Sequence, residues 1–196
     1  GFLYGFSMMP VSLDHLFADD LWNVAYNKVK SGELDRMFLR PVPVLFQVIA
    51  ETFQLEGLGE LIAGIIMISL CGGHIGINWT FPIILLLIVA TIFGALIITE
   101  LKILTSSFAF IFKKSGPLVQ MVYNCVSFTN YPLKIFPKVV QVILTFIIPF
   151  ALFISLPIES ILFDTYSPYM LSGIIILFAL VFGTISLLVW KACINH

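Results

Sequence analysis

Two charged residues, Glu100 and Lys102, interrupt a long apolar run and are the first residues to consider for chemistry. Charged groups inside a membrane are costly, and they often bind ions or protons. Since the two lie two positions apart, they point to different faces of one helix. The run from Thr80 to Phe112 is longer than a hydrocarbon core, so we expect both side chains to reach water below the membrane.

The residues that usually perform catalysis or bind metal are scattered. The three histidines are far apart, the three cysteines form no CxxC pair, and neither set has metal-ligand spacing. No phosphate-binding G-x-x-x-x-G-K-[ST] loop, H-E-x-x-H helix or nucleophile elbow is present. The sequence therefore predicts no catalytic, cofactor-binding or metal-binding residue. A net charge of −1 gives no reason to expect a nucleic-acid partner.

A short charged segment, Lys30 to Pro43, is the strongest functional signal. Charges of both signs alternate there with Leu34, Met37 and Phe38, and Pro41 ends the predicted helix. A short charged helix with apolar residues suits docking in a groove of a soluble partner. The pattern fits a solvated connector equally well.

The composition predicts an all-α, polytopic transmembrane helical bundle forming a single domain over residues 1–196. Hydrophobic residues make up 60% of the chain and charged residues 11%, too few charges to cover a water-facing surface. We expect the opening residues, Gly1 to Pro10, to be the end of a preceding helix, so the bundle is predicted to be incomplete at its N-terminus. Spans are predicted at about residues 58–77, 80–112, 139–158 and 171–190.

The ten lysines and arginines predict the orientation. Residues 11–57 are placed on the inner side, as are Lys113-Lys114 and Lys134 with Lys138. The loops Cys71 to Trp79 and Glu159 to Met170 contain no basic residue and are placed outside. As one helix the second run would be about 50 Å long, so it must tilt, project into the cytoplasm or break near residues 100–102, and we favour projection or a break. Pro149 and Pro157 are predicted to break the third span.

Two segments have an interfacial pattern. In Pro41 to Glu56, Gln47, Glu51 and Gln54 share one helical face, and apolar residues including Phe46 and Phe53 occupy the other. Residues 11–56 are thus predicted to hold coupling and interfacial helices. The segment Gly116 to Phe136 has a weaker pattern, and it either lies in the interface or packs against a partner subunit.

Gly32-Glu33-Leu34-Asp35, followed by Leu39-Arg40-Pro41-Val42, resembles a loop of ATP-binding-cassette type-2 permeases, in the branch of uncharacterised transport-system permeases. Tyr131-Pro132, Ile135-Phe136-Pro137 and Leu144 to Ala151 resemble the same branch, so the resemblance covers nearly the whole chain. It implies six helices per subunit with both termini cytoplasmic. It also implies two permease subunits, identical or homologous, working with two ABC ATPase subunits in the lipid bilayer.

The resemblance further implies a coupling helix between the second and third spans, through which the ATPases drive transport. By position this is Gly32 to Pro41, and the implied ATPase-coupling residues are Gly32, Glu33, Leu34, Asp35, Arg36, Phe38, Arg40 and Pro41. ATP and Mg would be bound by the partner ATPase, with no cofactor on this chain. The implied function is ATP-driven export across a bacterial inner (plasma) membrane. An ion-coupled secondary carrier and a non-transporting scaffold protein are the alternatives.

Overall fold

The computed structural model is helical, with no strand among the residues it describes, which confirms the all-α class. It describes residues 1–28, 31–51, 53–111 and 116–194, with the side chains of residues 25, 146 and 147 left out. The predicted inner pair Lys113-Lys114 lies outside these ranges, as does Lys30. Within them, three helices are long and apolar enough to cross a membrane: Glu56–Ile75, Phe81–Ile111 and Pro168–Ile194.

The first helix, α1, spans Phe2–Ala18 and continues past Pro10, where the sequence predicted its end. It packs against α5, Glu56–Ile75, in antiparallel fashion. A Cβ placed on Gly64 would meet the backbone of Gly5 at 2.9 Å, so the missing side chains let the two helices approach closely. One helical turn, α2 (Leu21–Asn23), and a π-helical turn (Val24–Lys28) follow α1.

The longest helix, α6, runs without interruption from Phe81 to Ile111, so the predicted break near residues 100–102 is wrong. At about 1.5 Å per residue its 31 residues extend roughly 46 Å. The last helix, α10 (Pro168–Ile194), lies along α6 in the same direction. Glu100 faces Gly183 near the middle of this contact, and the rings of Phe110 and Trp190 meet further on with centroids 5.1 Å apart.

Helix α7, Gly116–Val126, and the 3₁₀ turn Ser127–Asn130 run back along α1 in the opposite direction. The Tyr123 hydroxyl donates to Asp19 near the C-terminal end of α1, and the Ser7 hydroxyl donates to the Asn130 side chain about half-way up. Lys134 then lines one cavity together with Leu3, near the start of α1. This segment therefore runs along the length of α1, from its C-terminal end to its start, and does not lie flat in the membrane interface.

The predicted third span, 139–158, is a helical hairpin and not one continuous helix. Its first arm is α8 (Lys138–Val142) with a π-helical turn, Ile143–Ile147. The chain bends at Ile148 and Pro149, and the second arm continues through a π-helical turn, Ala151–Ser155, into α9 (Leu156–Phe163). The predicted break at Pro149 is confirmed. The break at Pro157 is wrong, because this residue lies in the first turn of α9, where its missing N–H has little effect.

The two ends of the hairpin lie together. Lys134 Nζ is 3.0 Å from the Glu159 carboxylate and lies over the ring of Phe163, at 6.0 Å from its centroid. The sequence placed Lys134 on the inner side and Glu159 on the outer side, so at least one of these placements is wrong. Because the segment from α7 to Lys134 retraces α1, the correction falls on Lys134, which belongs with Glu159 at the end opposite Asp19.

Candidate functional site

The predicted coupling segment forms a separate short helix, α3 (Glu33–Phe38), after Gly32 in the left-handed conformation with φ 73°. Leu34 and Met37 are buried in an apolar cluster with side chains of the next helix, α4 (Val44–Glu51), and of α6 and α10. Of the eight implied coupling residues, Leu34 is buried and Gly32 is partly buried. Six are exposed: Glu33, Asp35, Arg36, Phe38, Arg40 and Pro41.

Helix α4, Val44–Glu51, lies beside α3 and is bonded to it. The Gln47 side-chain amide donates to the Met37 carbonyl at 3.0 Å and to the Val42 carbonyl at 2.7 Å. Val44 and Val48 enter the same buried cluster as Leu34. Since α3 and α4 share both a cluster and these bonds, they form one unit.

Helix α4 has apolar side chains on two sides: Val44 and Val48 are buried against the protein, and Phe46 points outward. Phe46 is 63% exposed, and Phe53 just beyond the helix is 55% exposed. A cavity of about 310 Å³ opens between α3 and α4, with Arg40 and Glu51 among its lining residues. The exposed apolar side chains are compatible with an interfacial position, which stays a prediction.

Lys28 connects this unit to the end of α1. Its ammonium group is buried, with Nζ 2.6 Å from the Asp20 carboxylate and also bonded to the Glu51 carboxylate of α4. Burial alone would lower the pKa of Lys28. The hydrogen bonds and charges of Asp20 and Glu51 outweigh it and raise the pKa above the ordinary value of 10.5.

Lys102 is the centre of a second, deeper network. Its Nζ lies 2.5 Å from the Asp14 carboxylate and 3.3 Å from Asp19. The Thr99 hydroxyl also donates to Asp14, at 2.7 Å. Lys102 is 1% exposed and Asp14 is 2% exposed, so the predicted water exposure of Lys102 is wrong. The two opposite charges are buried between α1 and α6 and hold the two helices together.

Asp19 joins this network to α7 and to the loop after α4. Its carboxylate accepts hydrogen bonds from the Tyr123 hydroxyl at 2.7 Å and from the Gln54 amide at 2.9 Å. Burial would raise the pKa of Asp19, but the charge of Lys102 and the Tyr123 hydrogen bond outweigh it and lower the pKa below 3.8. Charged and polar contacts thus run from the α3–α4 unit to α1, α6 and α7.

A partly polar cavity of about 290 Å³ runs between α1 and the segment of α7 that retraces it. His15 Nδ1 is 3.0 Å from the Glu60 carboxylate at one end, and the Ser7–Asn130 hydrogen bond lies further along the wall. The cavity therefore places polar side chains along the contact between α1 and the α7 segment.

The sequence identified Lys102 but missed its partners Asp14, Asp19 and Tyr123. The sequence does contain a signal for these partners. Three carboxylates, Asp14, Asp19 and Asp20, lie at the end of an apolar stretch, and carboxylates that become buried there need cations as partners. The cation of Asp14 and Asp19 lies more than eighty residues away in the chain, so only the packing of α1 on α6 reveals the pairing.

A bundle of long apolar helices with a short helix projecting charged side chains defines the chain as a multi-pass membrane protein. The family model described as ABC-2 family transporter protein matches residues 1–196, so the chain belongs to that family. It is a permease subunit of an ABC transporter, and the resemblance read from Gly32 to Pro41 is confirmed at the level of the family. No curated protein and no solved structure matches the chain.

Proposed function

We propose that this permease works with a separate ABC ATPase, which docks on the exposed face of α3 and drives export across a bacterial inner membrane. The observation that carries the proposal is the division of α3 into two faces. Glu33, Asp35 and Arg36 face outward, and Leu34 and Met37 anchor the helix in the buried cluster. A helix that binds a partner through exposed charges and is anchored by buried side chains can transmit the partner's movement to the rest of the protein.

The contacts beneath α3 provide the route by which that movement is transmitted. Gln47 bonds α3 to α4, Glu51 of α4 bonds Lys28, and Lys28 bonds Asp20 at the end of α1. From Asp19, next in the chain, Lys102 and Tyr123 extend the network to α6 and α7. In the proposed cycle, ATP-driven closure of the ATPases moves α3, and these bonds move α1, α6 and α7 with it.

Two such subunits, identical or homologous, enclose the path in this proposal. The segment after α1, residues 19–56, supplies the cytoplasmic coupling and interfacial helices of the single permease domain. The partly polar cavity between α1 and α7 is the feature of this subunit best suited to line the path. Export follows from the family resemblance of the coupling segment.

ATP and Mg are bound by the partner ATPase in this proposal, and the permease itself performs no catalysis. The burial of Lys102 and Asp14 supports the alternative of an ion-coupled carrier, because such carriers bind ions or protons at buried charged groups. Membership of the ABC-2 family favours ATP-driven transport over that alternative and over a scaffold role.

The docking face is tested by photo-crosslinking in native membranes. A photoreactive phenylalanine analogue at Arg36, which is exposed on α3, is expected to form an adduct with a soluble Walker-type ATPase. The same analogue at Phe163, 70% exposed at the hairpin end, is the matched control and is expected to give no such adduct. An ATPase adduct at Phe163 and none at Arg36 would place the docking face elsewhere.

A further inference from the structure

Glu100 carries a carboxyl group that the coupling contacts do not use. Its Oε2 is closed off from solvent and has no hydrogen-bond partner among the described residues. The ion pairs found in the described part of the chain do not include it. Lys102, two positions along α6, points to another face and is held by Asp14 and Asp19.

The surface that faces Glu100 belongs to α10 and brings no charge to it. A Cβ on Gly183 would lie 2.5 Å from Glu100 Oε1, so the carboxyl group occupies the space that a side chain would fill. One turn further along, the Ser186 hydroxyl is also buried without a partner. The next titratable group of α10 beyond Gly183 is Lys191, eight positions on and exposed. Asp14 of α1, at a similar depth, is already paired with Lys102.

The position along α6 puts Glu100 in the inner part of the predicted span. The Phe110–Trp190 ring pair, ten residues further along α6, packs against the buried cluster beneath α3 and α4. Glu100 follows Phe81 by nineteen residues, or about 28 Å of helix. Measured from Phe81, a hydrocarbon core of about 30 Å therefore ends close to Glu100, where α10 covers one of its carboxyl oxygens.

Glu100 is partly buried, and its enclosed oxygen, Oε2, would have neither water nor a cation to stabilise a negative charge, whereas the neutral acid is far less costly there. We propose that Glu100 is a proton-binding site between α6 and α10, and that its bound proton is what allows the two helices to pack together at Gly183. Asp14 provides the contrast within the same helix bundle, because its carboxylate is paired with the ammonium group of Lys102. This site is independent of the ATPase contact on α3.

The test uses dicyclohexylcarbodiimide, an apolar reagent, on native membranes that hold the whole transporter. The O–H of a carboxylic acid adds across one C=N bond of the reagent. The proton goes to nitrogen, the carboxyl oxygen bonds to the central carbon, and nothing is released. A carboxylate whose charge is paired does not react in this way. Peptide mass spectrometry at neutral pH is expected to find the adduct on Glu100 and none on Asp14, and the Glu100→Gln protein is expected to lose it.

Access of the reagent to buried carboxyl groups is checked with Lys102→Met, which leaves the buried Asp14 without its cation, so that Asp14 is expected to react as Glu100 does. Labelling of Asp14 in that variant with Glu100 unlabelled would overturn the proposal. Should Lys102→Met fail to fold, infrared spectroscopy of the purified transporter decides. The carbonyl stretch of a protonated carboxyl group is expected in the native protein and is expected to be lost in Glu100→Gln. A spectrum identical in both proteins would also overturn it.

Discussion

At the residue scale, Lys102 shows what the sequence predicts and what only the packing of the helices reveals. The sequence located a lysine in an apolar run, but the length of that run favoured water exposure over burial. The structure pairs Lys102 with Asp14 at 2.5 Å, both almost fully buried. Periodicity along one helix cannot show this, because the stabilising carboxylate belongs to another helix. The same limit hid Tyr123, whose hydroxyl reaches Asp19 from α7.

Removing the lysine should destabilise the protein strongly. Lys102→Met leaves Asp14 buried without a cation, and we expect a loss of about 3–5 kcal/mol in the free energy of unfolding. The double variant Lys102→Met/Asp14→Leu, which removes both charges, should recover much of that loss. Thermal unfolding in detergent measures both effects. Lys134→Met is the control, because Lys134 is 77% exposed and its pair with Glu159 should contribute less than about 1 kcal/mol. Equal losses for the two single variants would contradict the buried pairing.

The pH dependence of stability follows from Asp19. Its lowered pKa means that the ionised form stabilises the fold at pH values above the ordinary 3.8, and that this contribution is lost as the pH falls through the lower folded value. Asp19→Asn should therefore lower the melting temperature at neutral pH. The difference from the native protein should shrink as the pH drops below 3.8. A difference that grows on acidification would show that the pKa is raised instead.

At the element scale, the helices that composition alone defines were predicted well, and the hairpin was not. The spans 58–77 and 171–190 correspond to α5 and α10, and α6 covers the long second run. An uninterrupted apolar stretch of about twenty residues is long enough to cross the membrane as a helix, so these elements follow from length and hydropathy. The stretch 139–158 has the same composition, yet the chain reverses inside it at Pro149. Hydropathy does not distinguish a hairpin that returns from a helix that crosses.

The hairpin predicts which side of the membrane Lys134 reaches. In a protein whose native cysteines are replaced, single cysteines at Lys134 and Tyr166 should react with an impermeant maleimide from the same side. A cysteine at Ser31, beside α3, should react only from the opposite side. Mass shifts on intact cells and on opened membranes distinguish the sides. Labelling of positions 134 and 166 from opposite faces would restore a single crossing helix over residues 139–158.

At the scale of the whole molecule, the short helix α3 and the long helices act through one connected set of contacts. Six of the eight implied coupling residues are exposed, and Leu34 has an anchoring position instead. The motif from Gly32 to Pro41 was visible in the sequence because its residues are adjacent. The contacts that connect it to α6 were not visible, since Lys28, Glu51, Asp19 and Lys102 come from four separate segments.

The contacts beneath α3 should matter for coupling and not only for folding. Glu51→Gln removes the charge partner that α4 gives to Lys28, while Asp20 still holds the lysine. We expect the purified complex to retain its bound ATPase but to lose part of the effect that the permease has on ATP hydrolysis. ATPase activity of the reconstituted complex measures this, with Glu56→Gln as the exposed control. Equal activity in the native and Glu51→Gln complexes would remove Lys28–Glu51 from the proposed route.

The most direct test of the central claim is to purify the tagged protein gently from its native membrane and identify what accompanies it. The account predicts a soluble Walker-type ATPase in the native complex and its loss from the Arg36→Ala/Arg40→Ala protein, which should still insert in the membrane because both side chains are exposed. Lys134→Ala, exposed at the other end of the bundle, should keep the ATPase. An ATPase retained equally by all three proteins would contradict the docking role of α3, and no ATPase in the native complex would contradict ATP-driven transport.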